Sequence, residues 1–136
     1  MNIAQLRQTI QLLLEGSPDL VGQYTLPDGT KIPAIYVSGR QGVPSEWKVD
    51  GLEVVIDEFP SLSPRAGVGI VQQRQEWTVV LVDYSTSSKA LTQAARRISR
   101  RFPDARFSFS PETDIAYGQY RIRIPDLEID RLYPPQ

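Results

Sequence analysis

The strongest hydrophobic patterning in the chain runs from Ile70 to Phe102, IVQQRQEWTVVLVDYSTSSKALTQAARRISRRF, and its period changes once. Trp77 to Val82 is a β-branched and aromatic run, the composition of a packed strand. Alternation places Trp77, Val79 and Leu81 on one face and Val80, Val82 and Tyr84 on the other. Both faces are apolar, so both are expected to be covered. Upstream, Gln72, Gln73, Arg74, Gln75 and Glu76 are polar on both faces. That half of the strand is expected to project beyond the core as a ribbon or to line a wet contact. After Ser85, Thr86, Ser87 and Ser88, which offer several N-caps, Leu91, Ala94, Ala95, Ile98 and Phe102 recur at helical spacing. Pro103 ends the pattern. The spacing thus predicts a central strand over about residues 70–84 and a helix over about 86–102.

The same reading extends along the chain. Ile3, Leu6, Ile10, Leu13 and Leu14 predict a first helix over about residues 2–15, with Gly16 as its C-cap and Pro18 blocking continuation. A short strand at Gly22–Leu26 leads into the turn Pro27-Asp28-Gly29-Thr30, and Ile32–Val37 reads as the return strand. Ser38–Gly51 reads as a polar loop with an isolated Trp47. Leu52–Phe59 is a strand, and Pro60–Gly69 is a second connection rich in Pro, Ser and Gly. Beyond the second helix, Ala105–Ser110 and Gln119–Ile124 alternate as antiparallel strands with one wet face, joined by a hairpin loop from Pro111 to Gly118. Their inward sets are Ala105, Phe107, Phe109 and Tyr120, Ile122, Ile124. Arg106, Ser108, Ser110, Arg121 and Arg123 point outward. The alternation of Asp126, Glu128 and Asp130 with Leu127 and Ile129 reads as an extra edge strand, and residues 133–136 as a frayed tail. The order of elements predicts a single α+β domain over residues 1–136. It has a mostly antiparallel sheet, two main helices packed on one face, and long loops. The second apolar face of the central strand then needs its own cover, for which a neighbouring copy of the chain is a candidate.

Composition narrows the chemistry. The 136 residues suffice for one domain with a real core, and 15 basic against 16 acidic residues leave a net charge of -1. That balance provides no general field for nucleic acid or membrane. With neither cysteine nor histidine, disulfides, thiol catalysis, thiolate metal sites, the commonest general base and the commonest zinc ligand are all removed. No apolar run approaches the roughly 20 residues that span a bilayer, and the N-terminus lacks the basic region of a secretory signal.

Several groups remain as candidates. Lys89, Arg96, Arg97, Arg100 and Arg101, with Arg106 just beyond, form a basic stripe that suits phosphates or an acidic partner. A solvated or salt-bridging helix face is the simpler reading, since the net charge is near neutral and no aromatic is interleaved. Adjacent Asp57 and Glu58 point opposite ways on a strand and do not form a dyad. Asp126, Glu128 and Asp130 share one face, fitting a cation site, an edge that opposes a neighbour's arginines or, more simply, a wet surface. Gly67-Val68-Gly69 lacks the rest of a phosphate loop and reads as a bend or bulge. Ser85–Ser88 has no histidine base, and capping explains it. Trp47 is too large to sit free in a loop, and either folds back on its own core or inserts into a neighbour. No catalytic residue, cofactor or metal is therefore expected. The contact candidates are Trp47, Arg96, Arg97, Arg100, Arg101, Asp126, Glu128 and Asp130.

From Asn2 to about Asp130 the order of elements resembles that of small neck proteins of tailed bacteriophages. It includes a long strand written EWTVVLVDY and a following helix written SKALTQAARRISRRFP. The resemblance is closest to the tail terminator, or tail-completion, proteins. It implies a structural virion protein, not an enzyme, assembled in the host cytoplasm. Such subunits form a ring, typically a homo-hexamer, that caps the tail tube and joins it to the head-tail connector. The implied partners are the tail tube protein, the connector proteins and DNA passing through the lumen without sequence recognition, with no membrane. A head-completion or stopper protein, or another tail component, is the alternative within the same class. From a different class, a monomeric nucleic-acid-binding module would use the Arg-rich helix face, with binding that weakens steeply with salt.

Overall fold

A computed structural model of the protein describes residues 2–16, 19–39, 42–67, 70–84, 89–110 and 118–126, with backbone alone at 62–67, 70–75, 89 and 126. Helix α1 spans Ile3–Leu14 and opens with a capping box. The Asn2 Oδ1 accepts from the Gln5 N–H at 2.8 Å, and the Gln5 Oε1 accepts from the Asn2 N–H at 2.9 Å. Two of the four orphan amides of a helix start are thereby satisfied. Leu6, Ile10 and Leu14 are fully buried. At the other end Glu15 is the C-cap, and Gly16 does not take the left-handed conformation expected of it. Helix α2 spans Lys89–Arg101 and buries Leu91, Ala94, Ala95 and Ile98. Its serine-rich entry, Ser85–Ser88, lies outside the described residues.

Among the described residues, nine strands follow the order β1 (Gln23–Thr25), β2 (Lys31–Pro33), β3 (Ile35–Ser38), β4 (Lys48–Asp50), β5 (Leu52–Asp57), β6 (Ser61–Gly67), β7 (Ile70–Asp83), β8 (Arg106–Ser110) and β9 (Gly118–Asp126). They build two sheets. The larger runs β3-β5-β7-β9-β8, with β6 added along β7, and is antiparallel except where β3 pairs with β5. One of its faces carries Val54, Ile56, Trp77, Val79, Leu81, Ile122 and Ile124, which pack with Leu6, Ile10, Leu91 and Ile98 into one core. The expected architecture, an α+β fold with two helices on one sheet face, is what forms.

The central strand β7 is 14 residues long, and its two halves have different neighbours. Gln75–Asp83 pair with β9, and Val79–Asp83 also with β5. Ile70–Glu76 pair with β6, so the polar half forms the two-stranded ribbon that its composition predicts. Between the pairs Ile56–Val79 and Ser61–Glu76, the outer strand carries Asp57–Pro60 against only Trp77 and Thr78. The surplus is a bulge where the sheet gives way to the ribbon.

Three expectations are corrected. The return strand Ile32–Val37 is two strands in different sheets. Pro33 has no N–H with which to continue a ladder, and at Ala34 the chain changes sheets. There the Ala34 N–H donates to the Gly22 carbonyl at 3.0 Å, and the Ala34 carbonyl accepts from the Val54 N–H at 2.8 Å. Next, the connections at Ser38–Gly51 and Pro60–Gly69 are not wholly irregular. They contain β4 and β6, which β1 and β7 template. Last, Phe109 is 56% exposed, although Phe107 packs against the core. Strand β8 is an edge, and Phe109 is held there by the Tyr120 ring at 5.1 Å.

The smaller sheet, β2-β1-β4, meets the other face of the large sheet through Tyr24, which packs against Tyr36 and Glu53. The turn between β1 and β2 forms as its residues dictate. The Asp28 Oδ1 accepts from the Thr30 N–H at 2.9 Å and Gly29 takes φ +88°. Two passages of the chain between the sheets, at Ala34 and Gly51, meet the entry to β1 at one junction. Gly22 donates to Leu52, Ala34 to Gly22, and Tyr84 to the carbonyl of Gly51, which has φ +81°.

Candidate functional site

The candidate contact residues fall in different places. On α2, Arg96, Arg100 and Arg101 are exposed, and the Arg101 guanidinium lies 4.8 Å above the Phe102 ring. Arg97 points elsewhere. Its Nη1 donates to the carbonyls of Leu13 at 3.1 Å and Leu14 at 3.4 Å. Helix α1 has no basic residue in its last turn, and Arg97 brings the missing cation from the neighbouring helix to its negative end. It therefore closes the helix end in place of Gly16. Arg97→Ala is expected to cost about 1–2 kcal/mol of stability, against less than about 0.5 kcal/mol for Arg96→Ala. Urea denaturation of the two variants checks this, and equal losses would contradict it.

Trp47 folds back on its own chain. Its ring lies 5.3 Å from Tyr24 and 5.7 Å from Tyr36, and these two tyrosines contact each other edge-on at 6.5 Å. Beneath this trio Glu53 is only 7% exposed. The Tyr24 hydroxyl donates to the Glu53 Oε2 at 2.7 Å, and the Tyr84 phenol lies close enough to the same carboxylate to feel its charge. Burial first, and then the neighbouring carboxylate, push both phenols above the ordinary tyrosine range. A buried carboxylate held by the Tyr24 phenol, with an aromatic lid, is thus the joint between the two sheets.

The second cover that β7 demands is therefore partly supplied from within, by the small sheet over Tyr36 and Glu53. Among the described residues, nothing covers the rest of that face. An open hollow of about 170 Å³ crosses four strands, lined by Ser38 of β3, Val55 and Asp57 of β5, Thr78 and Val80 of β7 and Arg121 of β9. The register extends one bank of it. Arg121 lies opposite Val80 and Ser108, while Arg123 lies opposite Thr78 and Arg106. Arg121, Arg123 and Arg106 are all exposed. The like charges of Arg106 and Arg123 face each other across the ladder, an unfavourable pairing. Arg106 relieves it by reaching past β9 to an ion pair with Glu76. At the opposite bank stands Asp57, and beyond it the Glu58 N–H is bonded to the Ser38 carbonyl at 3.1 Å. The exposed Phe59 follows in sequence.

This sheet-face bank is the feature that the sequence pattern hides behind the helix arginines. Alternation places Arg106, Arg121 and Arg123 outward, but only the pairing register brings them side by side. Of the acidic candidates, Asp126 ends β9 opposite Gln75, and Glu128 and Asp130 lie outside the described residues, as do the proposed edge strand and tail. Among the described residues, no cluster of three or more His, Cys, Asp or Glu is placed to hold a metal, and no helix is long and apolar enough to cross a membrane. The chain matches no protein-family model, no curated protein and no solved structure.

Proposed function

We propose that the protein is a structural subunit that assembles with copies of itself into a ring. In this reading it is a tail terminator or tail-completion protein, a virion component at the neck of a tailed phage. The ring caps the tail tube, meets the head-tail connector and lets DNA through its lumen. The observation that carries this reading is the unfinished second face of the large sheet. Its half-exposed valines lie between a basic and an acidic bank, and a two-stranded ribbon extends beside it. A surface with an apolar floor and both signs of charge suits a protein partner better than a phosphate polymer, which would meet the carboxylates as well as the guanidinia. The side chains that converge most tightly, Tyr24, Glu53 and Tyr84, are locked inside a joint, which favours a structural role over a catalytic one.

The test is the solution mass of the purified protein by light scattering, across concentration and salt. A closed assembly of about six copies, or a concentration-dependent climb towards one, is the expected result. A strict monomer that binds DNA with a steep salt dependence would overturn the ring. It would favour the monomeric nucleic-acid module using Arg96, Arg100 and Arg101.

A further inference from the structure

We propose that the open face of the large sheet receives the acidic segment Asp126-Leu127-Glu128-Ile129-Asp130 of a second copy of this chain. The proposal rests on the self-assembly reading above and names the contact that would build the ring. Three observations meet in it.

First, the face is a trough and not a uniform patch. Arg121 and Arg123 rise from consecutive outward positions of β9. Their side chains are separated by the repeat of an extended chain, about 6.6–6.8 Å. Arg106 already holds Glu76, whereas among the described residues neither Arg121 nor Arg123 has a carboxylate partner. The floor beside them is Val55 and Val80. Second, the acidic segment has the complementary repeat. Asp126, Glu128 and Asp130 recur every second residue, with Leu127 and Ile129 between them. In extended form its carboxylates share one side at the spacing of the arginines. Its other side is aliphatic, as the trough floor requires. Third, the chain carries both halves of the contact and has a net charge of only -1. Copies therefore attract locally without strong overall repulsion.

A trough on one copy filled by a segment of the next is a heterologous contact. Such contacts generate rings when the rotation closes. The acidic segment leaves β9 three residues after Arg123.

The experiment is a charge swap. One variant carries Arg121→Glu and Arg123→Glu, and the other Glu128→Arg and Asp130→Arg. Each is measured by light scattering alone and in equimolar mixture, with circular dichroism confirming the fold. The wild type is expected to self-associate, and each variant alone to stay at monomer mass. The mixture should regain the wild-type mass, because every acidic segment then finds a basic trough and every basic segment an acidic one. If either variant alone keeps the wild-type mass, the contact is wrong while the ring reading stands. A mixture that stays monomeric shows a contact within one chain or none, and also overturns the proposal. Loss of DNA retention by the Arg121/Arg123 variant without change of mass reassigns the bank to phosphate. A monomeric wild type removes both this contact and the self-assembly reading beneath it.

Discussion

Gly22→Ala is expected to lose on the order of 4 kcal/mol or more, enough to leave much of the chain unfolded. A Cβ at Gly22 would lie 2.1 Å from the Asp50 carbonyl oxygen, 2.6 Å from the Leu52 nitrogen and 2.9 Å from the Gly51 carbonyl carbon. All three are backbone atoms, and no rotamer change removes them. The strands cannot part without breaking the Gly22–Leu52 hydrogen bond and the Ala34–Gly22 bond beside it. Gly29→Ala is the control, since Gly29 has positive φ but nothing within 4 Å of where an added methyl would lie. Its cost is backbone strain alone, about 1 kcal/mol. Urea midpoints, or the soluble fraction on expression, separate the two, and a Gly22 variant as stable as the Gly29 variant would refute the junction.

The second large effect lies at Glu53. Glu53→Leu removes the acceptor of the fully buried Tyr24 hydroxyl and leaves it unpaired, a loss of about 2–3 kcal/mol. Glu53→Gln keeps an amide oxygen of the same reach and should lose less. Adding Tyr24→Phe to Glu53→Leu should recover part of the loss, since an apolar pair leaves no orphan. The cluster also has a pH signature. Both phenols are raised in the fold, so their contribution is full below the unfolded tyrosine value near 10. It declines as pH rises above that value, because the unfolded chain ionises while the fold holds its protons. The slope for Tyr24 approaches about 1.4 kcal/mol per pH unit. Tyr24→Phe should flatten the alkaline limb of the denaturation profile, and an unchanged limb would show that Tyr24 does not contribute to it.

The elements legible in the sequence are those whose signal is local. Helix α1, helix α2, the centre of β7 and strand β9 each carry a period strong enough to identify both the element and its buried face. Strands β4 and β6 carry no such signal. Lys48–Asp50 and Ser61–Gly67 are short, polar or proline-bearing, and they are strands because β1 and the polar half of β7 offer them open ladders. The break at Ala34 has one local mark, Pro33, which implies an edge or a strand start, but nothing in the run Ile32 to Val37 shows that its two halves join different sheets. The site divides the same way. Arg97 occupies a helical position like those of Arg96 and Arg100, and only the packing of α2 beside the end of α1 gives it a different task. The basic bank needed the register of β8 against β9. The size of Trp47 implied a partner, but the tyrosines it meets come from two different sheets.

The length of β7 has a mechanical consequence. At about 3.3 Å per residue, a 14-residue strand extends roughly 46 Å. Over this span no proline or glycine interrupts it. Its outer neighbour is broken by the Asp57–Pro60 surplus, so β7 alone runs unbroken from ribbon to core. A push on the ribbon is then carried along a single stiff beam into the most buried part of the sheet. Seating the ribbon against another body would register directly on the strand that forms the floor of the open face. One unbroken strand therefore joins the ribbon to the floor of the trough.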